Sequence, residues 1–375
     1  MHASFENLEP RRMMSASLKA GVLRVTGGAG NDRIALSLDK GWIVATTNGR
    51  REGRFASSAV KSISIDAGAG NDTVRVAPAI NQAPRISGGA GADTIDYSAS
   101  THGIYANLKT GRVEHYKTKA ALGTLASVEI IRGSAFPDCG DAYGNLLAAY
   151  GNGGKDDLYA FDGCRASLFG GDGDDWLMSA PGAPNLIDGG AGGDTIDYSD
   201  HFNELGGVDV SMDGVANDGL FGETDNMRGV ENVMGTPRTD RIVGDAAANR
   251  VSGNGGDDLI FGGGGDDRLS GGAGNDSVYG QDGNDTLKGD EGNDDLAGGA
   301  GDDEIYGMGG DDHVIGNAGF DRLFGNDGDD NLYANNNDRD ALDGGAGYDV
   351  ALVDRSVINP TKFKDTWVDV ETPVT

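Results

Sequence analysis

From Gly253 to Tyr333 the chain cuts every nine residues into nine units with no insertion. The first and fourth residues of every unit are Gly, from Gly253 and Gly256 to Gly325 and Gly328. The sixth is always Asp: Asp258, Asp267, Asp276, Asp285, Asp294, Asp303, Asp312, Asp321 and Asp330. The eighth is always aliphatic: Ile260, Leu269, Val278, Leu287, Leu296, Ile305, Val314, Leu323 and Leu332. Fixed columns over so long a run require a repeat architecture, in which each unit buries its apolar residue only against its neighbours.

Each column has a physical meaning. Glycine at two fixed places marks a backbone that turns through conformations other residues resist, or that passes close to something. Asp supplies a carboxylate at the end of the turn. A lone aliphatic residue two places on indicates a very short strand with one side chain inward. Each unit therefore reads as a six-residue turn plus a three-residue strand, and two units make a coil of eighteen. The core of such a stack is thin, and its charge opposes it. The nine units hold 20 Asp and Glu against 3 Lys and Arg, a net of −17 out of −30 for the whole chain. Stacked carboxylates repel unless a cation lies between them. Calcium suits this chemistry, because it accepts about 6–8 carboxylate and carbonyl oxygens in flexible geometry. One ion between each unit and the unit a coil later gives about seven sites over nine units. There is no Cys/His cluster for zinc, and magnesium demands stricter octahedral geometry.

The units resemble the Gly-Gly-x-Gly-x-Asp-x-U-x nonapeptides of hemolysin-type, or RTX, calcium-binding proteins. The resemblance implies an all-β fold, a parallel β-roll or β-helix solenoid with interspersed hairpin insertions, holding several Ca2+. It implies the sixth-position aspartates as metal ligands together with turn carbonyls. Beyond the nine regular units, the matching positions are Asp240, Asp349, Asp32, Asp72, Asp93, Asp175 and Asp194.

Of 375 residues, 65 are Gly, and the pI is about 4.3. So acidic a chain lacks the basic footprint of a nucleic-acid binder and the polybasic segments that hold proteins to anionic membranes. No apolar run approaches the roughly 18 residues of a transmembrane helix. Two cysteines, Cys139 and Cys164, form one disulfide or remain two separate thiols.

Taken in order, residues 1–20 are an N-terminal segment expected to be disordered, too polar for a secretory signal. Within it, Leu8–Ala16 resembles the LEPR-XLL motif of large bacterial surface proteins, with Met13 and Met14 in place of leucines. Residues 21–84 read as a β region with isolated nonapeptide turns at Gly27 and Gly68, and Asn48-Gly49 is a hairpin turn. Residues 85–234 contain a duplication with an offset of about one hundred residues. SGGAGADTIDYS at 87–98 returns as DGGAGGDTIDYS at 188–199, and SVEIIRGS at 127–134 returns as GVENVMGT at 229–236. Each copy is expected to be a turn, a β excursion and a re-entry into the roll. The first copy reads as decayed, with Asp138–Asp141 two residues short and Lys155 inserted, so fewer ions are expected there. Residues 235–352 form the regular roll. Residues 353–375 read as a cap over the last coil, with Val350, Leu352, Val353, Val357, Phe363, Trp367 and Val368 available for it. The RTX resemblance also makes this tail a candidate signal for type I secretion.

No HExxH, GxSxG or GxxxxGK[ST] motif is present. The five histidines are scattered, and repeat-like turns run from Gly27 to Asp349. The expected function is that of a non-enzymatic, secreted or cell-surface protein whose partners are calcium ions. An alternative is an adhesin or surface-layer component that contacts cell-surface polysaccharide or protein through the 99–127 and 200–228 insertions. A third is a polysaccharide-active enzyme using Tyr97, Tyr105, His115 and Tyr116.

Overall fold

The computed structural model describes residues 14–142, 147–160, 167–178, 186–199, 206–220, 225–334, 340–353, 366–368 and 372–374. The chain divides into two compact units, Met1–Ala180 with Asp188–Gly192, and Pro181–Ile187 with Gly193–Thr375. Each is a parallel β-solenoid.

The second unit contains the regular repeats. Successive units of nine alternate between two parallel sheets. One sheet stacks Arg250–Gly255, Arg268–Ala273, Thr286–Glu291, Glu304–Gly309, Arg322–Asp327 and Ala341–Ala346. The other stacks Leu259–Gly264, Ser277–Asp282, Asp295–Ala300, His313–Ala318 and Asn331–Ala334. Each eighth-column residue lies in register with the one a coil later, as in Ile260↔Val278, Val278↔Leu296 and Leu296↔Val314. Ile260 to Leu332 are all 0–2 % exposed, so the core is two facing columns of aliphatic side chains.

The strands hold six residues, twice the expected three. Leu259–Gly264 starts at the seventh place of one unit and continues to the third place of the next. The backbone keeps pairing through the glycines even though they contribute no side chain to the core. Alternation then turns the ninth residue outward, where aromatic rings stack from coil to coil: Phe261 on Tyr279 at 5.2 Å and Tyr306 on Phe324 at 4.8 Å.

The two glycine columns serve different ends. In the fourth place Gly274 has φ +141°, and an added Cβ would lie 2.0 Å from the carbonyl oxygen of Gly256 in the coil before. That place needs both a left-handed backbone and a close approach. In the first place Gly253 has an ordinary φ, and the obstacle is side-chain oxygen: a Cβ would lie 2.0 Å from Asp258 Oδ2.

The first unit follows the same plan with interruptions. One sheet stacks Val22–Thr26, Ser62–Ala69 and Pro84–Ala90. The other stacks Arg33–Asp39, Thr73–Val76, Thr94–Asp96, Ile130–Arg132, Ala148–Gly153 and Ser167–Asp172. Strands Trp42–Thr47 and Arg50–Ala56 add antiparallel to Arg33–Asp39, through Lys40-Gly41 and the expected Asn48-Gly49 turn. Both residues of each turn have positive φ, which matches the twist of a two-residue hairpin. The first insertion is an antiparallel meander of Ile104–Asn107, Arg112–His115 and Ala121–Ala126. Its outer strands pair in parallel with Cys139–Ala142 and Pro84–Ala90, so the excursion fills the gap in the sheet.

The first copy of the duplication is not shortened. Asp138 N–H meets Asp156 across eighteen residues, the same step as in the regular coils. Gly151 to Leu158 occupy places one to eight, so Lys155 replaces the fifth residue of a unit and is not an insertion. Cys164 lies outside the described residues, as do Leu8–Met13 of the N-terminal motif and Val357 and Phe363 of the tail. Strands Thr366–Val368 and Thr372–Val374 continue the two sheets past the last regular coil.

Because the core is one residue deep, Leu296→Ala should cost about 2–5 kcal/mol in calcium-replete protein. Outward Lys288→Ala should stay within about 0.5 kcal/mol. Denaturant unfolding of both variants checks this, and equal losses would contradict a core built on the eighth column.

Candidate metal centre

The turn between strands carries the sixth-column aspartate inward. From Asp258 to Asp330 these residues are 0–3 % exposed, which is exceptional for carboxylates. Each is held by the backbone of the coil before it. Asp258 N–H donates to Asp276 Oδ1, Asp276 N–H to Asp294 Oδ1, and so on to Asp330 and Asp349. A second row runs Asn249, Asp267, Asp285, Asp303, Asp321 and Asp340 in the same way. All these bonds measure 2.7–3.1 Å. The repeat therefore forms two ladders in which a carboxylate of one coil bonds the amide of its neighbour.

This bond uses one oxygen of each carboxylate. In Asp258, Asp267, Asp276, Asp285, Asp294, Asp303, Asp312 and Asp330 the other oxygen, Oδ2, is buried and has no hydrogen-bond partner in the protein. It stands over the bare Cα of the unit's first glycine beside a backbone carbonyl oxygen. Over Gly253 these are Asp258 Oδ2 and Gly271 O, at 2.0 and 2.6 Å from where a Cβ would sit. Desolvation pushes Asp258 up to about 8, Asp267, Asp303 and Asp312 to about 7, and Asp276, Asp294 and Asp330 to about 6. A buried carboxylate oxygen that lacks a donor is costly unless it is protonated or faces a cation.

The donor set fits a hard cation. Among the described residues no three His, Cys, Asp or Glu side chains converge on one point. Carboxylates succeed one another a coil apart, so any ion held here takes its remaining ligands from backbone carbonyls, which calcium accepts readily.

The other expected ligands divide into two groups. Asp72 and Asp93 repeat the ladder across irregular coils: Asp32 N–H donates to Asp72 Oδ1 at 2.7 Å and Asp72 N–H to Asp93 Oδ1 at 2.8 Å. The Oδ2 of each is buried without a partner. Asp175 accepts from Asp156 N–H at 2.8 Å, and Asp194, Asp321 and Asp349 are buried on their rows. Asp32 and Asp240 differ, because protein donors reach both their oxygens. Gly28 N–H and Asn48 Nδ2 serve Asp32, while Val208 N–H, Thr236 N–H and Thr236 Oγ1 serve Asp240. These two head their rows.

Several residues of the ladders lie outside the expected set. Asp138 and Asp156 carry the row in the first copy of the duplication, and burial pushes Asp156 up to about 8. Asp340, the seventh residue of a ten-residue unit, takes the sixth-column role and accepts from Asp321 N–H. The fifth column, Asp or Asn in eight of the nine regular units, forms its own exposed ladder of opposite direction. Asn275 N–H donates to Asp257 Oδ1, Asn293 N–H to Asn275 Oδ1 and Asp311 N–H to Asn293 Oδ1, at 2.8–3.0 Å. The column was visible in the sequence as a preference for Asx.

The model of the family described as RTX calcium-binding nonapeptide repeat matches residues 24–39, 85–99 and 167–184, then overlapping stretches from 234–269 to 315–351. The chain carries RTX calcium-binding nonapeptide repeats. The RTX matches cover the regular ladders and three of the interrupted turns. No curated protein matches the chain. The four residues considered for catalysis do not converge on one point. Tyr97 and His115 line a cavity of about 130 Å³, whereas Tyr105 and Tyr116 flank Lys119 and bond Asp141 and Asp157. No helix among the described residues is long and apolar enough to cross a membrane.

The raised carboxyls make a signed prediction for the calcium-free chain. A carboxyl raised from 3.8 to about 6–8 in the fold contributes stability below its unfolded value, and this is lost as pH rises through 6–8. Calcium-free protein should therefore gain strand circular dichroism as pH falls from about 8.5 to 5. A pH-independent signal would contradict the burial of ionisable ladders.

Proposed function

We propose that this chain is a secreted or cell-surface protein, non-enzymatic, that folds and stiffens as it takes up several calcium ions along its aspartate rows. The observation that carries the reading is the repeated Oδ2 atom, buried without a protein donor in coil after coil. Asp258, Asp267, Asp276, Asp285, Asp294, Asp303, Asp312 and Asp330 would hold the ions in the regular roll, with Asp321 and Asp349 completing the rows. Asp72, Asp93, Asp156, Asp175 and Asp194 would serve the interrupted coils. Calcium supplies positive charge and an acceptor of oxygen lone pairs where the fold has buried carboxylate.

This reading accounts for composition as well as geometry. A net charge of −30 opposes compaction until it is offset. Extracellular calcium modules bind at about 10⁻⁴–10⁻³ M. In a cell, where calcium is scarce, the chain would stay unfolded and fit for export. Outside, each filled coil would favour the next through their shared interface. The 235–352 stretch, with its unbroken rows, would take most of the ions.

Calcium titration followed by far-UV circular dichroism tests this reading. Strand signal should appear over a narrow range of calcium concentration and vanish with chelator. A chain fully structured at neutral pH in chelator would overturn it.

A further inference from the structure

Each copy of the duplication lacks the six-residue turn at one coil. Ser127-Val128-Glu129 stands there in the first copy and Gly229-Val230-Glu231 in the second. The two short turns share one geometry. Their first residues have left-handed φ of +49° and +57°, and Val128 and Val230 are buried. Glu129 and Ile130 N–H both donate to Asp93 O, at 3.1 and 2.9 Å. Glu231 and Asn232 N–H donate to Asp194 O at the same two distances.

The glutamates take over the aspartate's place on the ladder. Asp93 N–H donates to Glu129 Oε2 at 2.9 Å, and Asp194 N–H to Glu231 Oε2 at 2.8 Å. Elsewhere the same amide bonds the Oδ1 of the next aspartate. The neighbouring oxygens are rebuilt too. A Cβ on Gly88 would lie 2.0 Å from Ser127 O and 2.5 Å from Asp93 Oδ2. In a regular coil those two positions belong to Gly271 O and Asp258 Oδ2 over Gly253. Asp93 is 2 % exposed and its Oδ2 has no partner. The longer glutamate side chain makes up for the three residues the turn has lost.

We propose that Glu129, with Asp93 and the Ser127 carbonyl, forms a further calcium site at the end of its row, and that Glu231 with Asp194 forms the counterpart. Both glutamates lie outside the stretches matched by the nonapeptide family. The inference rests on the calcium reading of the regular rows. Each glutamate closes a run of carboxylates, because the residue at the same place a coil later is neutral. After Glu129 it is Leu147, whose N–H donates to Glu129 O at 2.7 Å. After Glu231 it is Asn249. Each glutamate thus serves one ion, whereas an aspartate inside a row borders two.

Native mass spectrometry of the full chain in saturating calcium counts the ions directly. Glu129→Gln should bind one ion fewer than wild type, and the double variant with Glu231→Gln two fewer, with strand circular dichroism retained. An unchanged count in the folded variants overturns the proposal. Glu129→Asp keeps the charge and shortens the reach, so it should also lose one ion; an unchanged count there overturns the proposal as well. If neither Glu129 variant folds in saturating calcium, Glu129 is a structural keystone and not an end site, and the proposal falls. A wild-type chain that binds no calcium overturns the calcium reading itself, an outcome distinct from all of these.

Discussion

The bond on which the rest of the structure depends joins the amide of one sixth-column residue to the carboxylate of the next, one coil away. It is charge-assisted, short and repeated along both rows. It ties successive turns as the strand ladders tie successive strands. It also explains the choice of residues. From a six-residue turn a short carboxylate reaches the neighbouring amide while remaining under the sheet. In the regular units a glycine without Cβ leaves room for its second oxygen, and a left-handed glycine lets the turn pass beneath the one above. The fifth-column ladder runs the other way beside it, so each turn both donates to and accepts from the turns around it.

The same bond creates the molecule's electrostatic problem. Holding the aspartate by one oxygen buries the other, and the fold repeats this every nine residues on alternating flanks. Burial raises these carboxyls because the ionised form has lost its water, and neighbouring aspartates add to the effect. A core one aliphatic side chain deep has little apolar burial with which to oppose that penalty. Stability therefore depends on what neutralises the rows. The outward aromatic stacks and the hairpin additions strengthen individual coils and leave this dependence in place.

Much of this was legible in the sequence. Gly, Asp and aliphatic columns read directly as turn, carboxylate and inward strand residue, and the solenoid followed from their regularity. The strand length did not, because glycines in places one to three look like turn while their backbone still pairs. Lys155 looked like an insertion because the alignment followed the motif Gly-Asn-Gly-Gly-Asp-Asp, whereas hydrogen bonding follows the eighteen-residue step. Asp156 was missed with it, because an inserted Lys155 would move the acid off the sixth place, whereas the units of Asp138 and Asp340 lack a complete glycine signature while keeping the place of the acid on the ladder. Glu129 and Glu231 recur in the duplicated segment but carry no nonapeptide motif. Their role emerges only once a short turn and a longer side chain are seen to reach the same amide.

The central claim is that at neutral pH the rows of buried carboxylate hold their coils together only with calcium. Amide hydrogen exchange of residues 253–333 at pH 7, with calcium and with chelator, measures this coil by coil. The account expects slow exchange at the sixth-column and strand amides with calcium and near-unprotected exchange without it. Equal protection in chelator would contradict it.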